Sequence, residues 1–132
     1  MSRSNHRQGE FPPAPDPLHV PVPDSHTHLD LVLEEATSTG TGPATVAEAV
    51  ATATAAGVDR LVQVGVDVPT SRWAVAVALE HRAIVATVAV HPNEAPRLSD
   101  VDAALARIDA LAADPRVRGV GETGLDTFRT GP

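Results

Sequence analysis

The chain has 132 residues, close to one average domain. Apolar residues make up 42% of it, its aromatics are Phe11, Phe128 and Trp73, and it contains neither Cys nor Lys; the core must be aliphatic, and disulfides, thiolate metal sites, Schiff-base lysines and carbamylated-lysine metal bridges are excluded. Its 10 basic residues, all Arg, stand against 17 acidic ones for a formal charge of −7, which is not the footprint of a protein that coats DNA nonspecifically; phosphate handling would need a metal to supply positive charge.

In chain order, the polar segment MSRSNHRQGE runs into FPPAPDP, with Pro12, Pro13, Pro15 and Pro17, so residues 1–18 read as a disordered, Pro-rich tail without a secretory h-region. No stretch approaches the ~18 continuous apolar residues of a transmembrane helix, and the expectation is a soluble, cytoplasmic protein with no membrane contact. From His19, HVPVPDSHTHLD opens as a β-branched stretch and ends in a His-rich turn, which suits a strand with histidines at its carboxyl end. Thr45 and Glu48 have capping-box spacing, and VAEAVATATAA stops at Gly57, predicting a helix. RLVQVGV, about 60–66, is a continuous apolar run of strand length. Thr70 and Ser71 are placed to open a second helix through WAVAVALEHR, followed by a strand in AIVATVAV, about 83–90, that ends at His91-Pro92. After Ser99, Val101, Ala104, Leu105, Ile108 and Leu111 follow helical spacing up to Pro115. VRGVGETGLD adds a fourth strand at about 117–120 and a Gly-punctuated loop. The order predicts an α/β fold with about four parallel strands and three crossover helices, in which ligands gather beyond the carboxyl ends of the strands.

The polar residues at those ends are Asp24, His26, His28 and Asp30 after the first strand, His91 after the third, and Glu122 and Asp126 after the fourth. In extended backbone His26 and His28 project to the same face and can share one ion, and Glu122 can join them or bridge to a second. Alone, an H-x-H pair is common among loop residues, and GETGLD reads as a glycine-rich turn. His6 and His19 read as tail residues, and His81 as a cation near the negative end of a helix. The conjunction of these elements in order is what points to chemistry.

The segments DSHTHLD at 24–30, AVHP at 89–92 and GVGETGLD at 119–126 resemble the TatD family of metal-dependent deoxyribonucleases, within the amidohydrolase-like barrel superfamily, from about residue 21 onward. The resemblance implies a distorted, TIM-like (β/α)8 barrel in which two divalent ions (Mg, Mn or Zn) activate a water that attacks a phosphodiester of DNA. His26 and His28 match first-strand metal ligands and Glu122 the bridging carboxylate. His91 and Arg129 match positions near the substrate phosphate, with Asp24, Asp30 and Asp126 as residues around the ligands. Ala89 stands where the family usually has Gly, and Thr127-Phe128 where an aromatic pair is common. Two further histidines and a late aspartate of the family pattern have no counterpart in this sequence. Residues 19–132 are therefore expected to be the N-terminal half of the barrel, with no catalytic residue assigned and at most one ion held, weakly.

Three readings compete: a TatD-type hydrolase of DNA or another phosphodiester, here as a truncated or fragment chain; a different H-x-H barrel metal hydrolase, which the lack of Lys disfavours; and a non-catalytic remnant. Half a barrel would leave open sheet edges near Val20 and Val22 and near Val117 and Val120, a route to self-association.

Overall fold

The computed structural model describes residues 12–129. Tail character for residues 1–11, His6 included, lies outside the described residues; residues 12–17 carry no helix or strand. Leu18 is already tied in, its N–H donating to Ala56 O at 3.0 Å.

Four strands, β1 (Val22–Thr27), β2 (Val58–Val64), β3 (Ile84–Val88) and β4 (Val117–Val120), form one sheet in the order β1-β2-β3-β4. Every pairing is parallel. The helices between them are α1 (Leu29–Thr39), α2 (Val46–Ala55), α3 (Val68–Glu80) and α4 (Val101–Ala112). This α/β architecture is what part of a TIM-like barrel looks like. The central pair β2 and β3 runs in unbroken register from Leu61 opposite Ile84 to Val64 opposite Thr87. Both edge strands are irregular: β1 slips between Asp24 and Thr27, and β4 takes two residues, Val117 to Gly119, against the single step from Ala86 to Thr87. Bulges at sheet edges bend the strand and re-aim its side chains.

Burial alternates along β3, with Ile84, Ala86 and Val88 at 0% exposure and Val85 and Thr87 half-buried. The buried face packs on α3 through Ala74, Val77 and Ala78 and on α4 through Ala104 and Ile108, a core made of Ala, Val, Leu and Ile. Small residues let the helix come very close. A Cβ on Gly65, just after β2, would lie 2.5 Å from both Cα and Oγ of Ser71 on α3. Arg116 ties the other end of α3 to β4: its Nε donates to Ala78 O at 2.8 Å and its Nη2 to His81 O and Arg82 O, both at 3.2 Å, and to Ile84 O. The last carbonyls of a helix have no partner within it, and a guanidinium satisfies several at once.

The structure differs from the sequence pattern in two places. The first crossover holds an additional helix, α1, whose N-cap His28 makes no side-chain cap bond and whose end is marked by Gly40 at φ 69°. Helix α3 begins earlier than Thr70 and Ser71: Asp67 is its N-cap, accepting from Thr70 N at 2.7 Å, and the Thr70 hydroxyl accepts from Asp67 N in return. Thr70 completes this capping box from the third helical position. Thr45 caps α2 as its spacing indicates, accepting from Glu48 N at 3.2 Å. His81 is the C-cap of α3.

Gly65→Ala is expected to destabilise the chain by about 1–3 kcal/mol through overpacking, a drop in Tm on the order of 4–12 °C. Thermal unfolding followed by circular dichroism measures it; an unchanged melt would show that α3 is free to move away from β2.

Candidate metal centre

Because all four strands are parallel, their carboxyl ends share one rim, and polar residues at the ends of β1 and β4 meet there. His26 lies in the irregular stretch of β1, where its backbone N–H donates to Asp24 Oδ1 at 3.0 Å. His28 follows the strand as the N-cap of α1. The two imidazoles meet edge to face, centroids 5.1 Å apart, with their Nε2 atoms separated by 3.2 Å. From β4, Glu122 brings Oε1 to 3.2 Å from His26 Nε2. Among the described residues these three form the one group of histidines and carboxylates able to hold a metal ion, with ligand atoms all within 4.8 Å of one another.

The spacing fits an ion. Two donors at about 2.0–2.1 Å from a tetrahedral metal lie about 3.3 Å apart, close to both 3.2 Å separations here. Without a metal the same atoms can form one imidazole–imidazole hydrogen bond and one ion pair, and the donor set of two neutral imidazoles and a carboxylate is one that borderline divalent metals accept. Exposure grades across the group, from His26, whose side chain is 52% exposed, to Glu122 at 22%.

Glu122 is the one described non-glycine residue with positive φ, at 57°. The left-handed region costs an ordinary L-residue roughly 1–2 kcal/mol, and such residues concentrate at functional sites. The preceding residue is held in place, Gly121 N donating to Val88 O at 3.3 Å. The strained turn is thus anchored on β3 and presents its carboxylate to β1.

The other residues singled out from the sequence have separate engagements. Asp24 holds the His26 backbone, while Asp30, in the first turn of α1, accepts from Gln63 Nε2 at 3.1 Å. Asp126 caps the turn after it, accepting from Phe128 N at 3.0 Å and Arg129 N at 2.8 Å. The exposed Arg129 guanidinium lies 4.0 Å from Asp126. His91 is outside the three-residue group and half-buried; its N–H donates to Val66 O at 2.7 Å and its Nδ1 accepts from Asn93 N at 3.1 Å. That bond assigns the neutral ring to the Nε2–H tautomer, with a donor on its far side.

Two polar residues are buried completely at junctions leading to the rim: Gln63, to which the sequence pattern gives no role, and Ser71, which it reads as a helix opener, both 0% exposed. Ser71 Oγ accepts from Ala89 N at 3.2 Å and so fixes the backbone that leads to His91. For Gln63 a signal existed, a lone amide inside the apolar run RLVQVGV.

Comparison with known proteins bears on the same residues. A family model described as TatD related DNase matches residues 23–132. An uncharacterized metal-dependent hydrolase, TatD, of Mycobacterium tuberculosis is 43% identical over 76 residues, 58% of this chain and 28% of that protein. A 3'-5' ssDNA/RNA exonuclease TatD of Cronobacter turicensis is 40% identical over 74 residues, 56% of this chain and 27% of the relative. The uncharacterized metal-dependent hydrolase YabD of Bacillus subtilis is 39% identical over 69 residues, 52% of this chain and 26% of its own length. The matched stretch thus spans about a quarter of the length of these relatives.

Replacing Glu122 by Gly is expected to raise thermal stability, by up to about 1 kcal/mol, because relief of the left-handed backbone outweighs the entropy glycine adds to the unfolded chain. Glu122→Gln keeps the strain and is expected to leave the melt close to wild type. A Gly variant less stable than the Gln variant would show that the turn is not strained.

Proposed function

Since the chain belongs to the TatD-related DNase family, we propose that His26, His28 and Glu122 hold a divalent ion at a site that hydrolyses phosphodiester bonds of nucleic acid. The observation that carries this reading is the convergence of the three ligand atoms, delivered by a turn that accepts backbone strain to place its carboxylate. Single-stranded DNA or RNA is the substrate class carried over, because the Cronobacter relative is named for that activity.

A bound divalent ion supplies a water of lowered pKa and neutralises phosphate charge, which lets a chain of charge −7 approach a polyanion. The protein's own groups do the rest. His26 and His28 offer Nε2 from one strand end, and Glu122 closes the group from the opposite edge of the sheet. His91, held as the Nε2–H tautomer by Asn93, donates toward a phosphate oxygen, and Arg129 adds positive charge at the end of the same loop as Glu122. No residue among these is assigned as general base. The 132 residues hold one ion weakly, since three protein ligands are fewer than the complete family site supplies. We place the protein in the cytoplasm with its substrate; among the described residues no helix is long and apolar enough to cross a membrane.

Calorimetric titration with Zn²⁺ or Mn²⁺ tests the site: wild type is expected to bind, and the double variant His26→Ala/His28→Ala to lose binding. Equal binding by both would remove the proposed centre. With a 3'-labelled single-stranded oligonucleotide and Mn²⁺, the 132-residue chain is expected to cleave at background rate. Robust EDTA-sensitive cleavage that Glu122→Ala abolishes would show instead that these ligands suffice.

We further propose that this chain associates with itself through β1 and β4, each paired on one side only among the described residues and carrying Val22 at 40% and Val120 at 61% exposure. Size-exclusion chromatography with light scattering is expected to show mass rising with concentration. A concentration-independent monomer would overturn it.

A further inference from the structure

From the junction between β1 and α1 we infer that Gln63 is the positioning residue that sets the His28 imidazole against His26. The inference rests on the metal-centre reading for its functional meaning, but its geometry stands without a metal.

The first N–H groups of an α-helix have no partner within it, and the usual solution is a Ser, Thr, Asp or Asn at the N-cap whose side chain folds back to accept one. α2, α3 and α4 follow that rule with Thr45, Asp67 and Asp100. In α1 the N-cap is His28, which makes no such bond because its ring is turned to His26. The missing acceptor comes from another strand: Gln63 Oε1 takes the Leu29 N–H at 2.8 Å. The same amide donates through Nε2 to Asp30 Oδ1 at 3.1 Å and to Val64 O at 3.4 Å. Gln63 therefore grips both residues that follow His28. Since a carboxylate only accepts, Asp30 fixes which end of the amide faces Leu29.

Burial makes the grip specific. Gln63 is 0% exposed on the helix-facing side of β2, where it pairs with Ala86, so no water can replace its bonds. A hydrophobe at that place would serve the core as well or better. What the amide adds is direction, which frees a metal-ligand histidine from capping its own helix.

The test uses the full 132-residue chain and Gln63→Met, close in volume but lacking both hydrogen bonds. In metal-free protein, wild type is expected to show nuclear Overhauser contacts between the His26 and His28 ring protons; in Gln63→Met these are lost. Zn²⁺ affinity, measured by calorimetry, is expected to fall about 10- to 100-fold, the usual effect of losing a group that orients a metal ligand. The swap Gln63→Glu with Asp30→Asn exchanges acceptor and donor along the same contact. It is expected to restore both readouts, which a volume effect would not do. Should Gln63→Met fail to fold, Asp30→Ala, which releases one end of the amide, decides, with an expected loss of ring contacts and severalfold weaker Zn²⁺ binding. Ring contacts retained in the folded variant would overturn the inference. If wild type binds no Zn²⁺ while the ring contacts still depend on Gln63, the metal reading fails and the positioning role stands.

Discussion

The approach of α3 to the end of β2 is the constraint on which the rim depends. Gly65 leaves no room for a methyl group against Ser71, and that closeness lets the Ser71 hydroxyl reach the Ala89 N–H beyond the end of β3. From there the backbone is locked strand by strand. Val66 O takes the His91 N–H, and Val88 O takes the N–H of Gly121, the residue before Glu122. A parallel sheet needs its face covered by helices. Here the covering contact also sets where the loops at the carboxyl ends begin.

Each candidate ligand is delivered by a local departure from regular structure. His26 sits in a slipped stretch of β1, His28 at a helix start capped from elsewhere, and Glu122 at φ 57°. A regular cap would occupy the N-cap side chain with its own helix, whereas the His28 ring is turned to His26. The irregularities cost stability individually, so the surrounding order must over-determine them. The unbroken pairing of β2 with β3 and the fully buried Ile84, Ala86 and Val88 provide that order.

How far the sequence reveals this follows from the range of each interaction. β2, β3, α2 and α4 are legible because apolar runs, helical spacing and a Thr45–Glu48 cap are local signals. Helix α1 is not, since its first N–H is satisfied by Gln63, remote in sequence, and its last turn holds Thr37, Ser38 and Thr39, whose hydroxyls bond back to Leu33 and Glu35 carbonyls. The start of α3 is misplaced because Thr70 resembles an N-cap while acting as the partner of Asp67. At the rim, the H-x-H pair and GETGLD name the ligand atoms. Their convergence is a property of strand order, and the roles of Asp30 and Ser71 depend on partners that no local pattern shows.

The two buried polar residues among the described core positions make sense in this light. Burial of Ala, Val, Leu and Ile is strong but non-directional, and a core whose fully buried residues carry no aromatic ring, Trp73 packing only at its margin, has little shape by which to fix an angle. Hydrogen bonds to Gln63 and Ser71 are directional and, away from water, costly to leave unmade. Gln63 lies where β1 passes into α1, and Ser71 where β3 passes into the loop of His91. Aliphatic burial thus determines that the sheet and helices associate, while two amide and hydroxyl contacts determine how the chain leaves the sheet. Those exits are where His28 and His91 stand, so these two buried polar side chains are placed by the geometry of the rim and not by the needs of the interior.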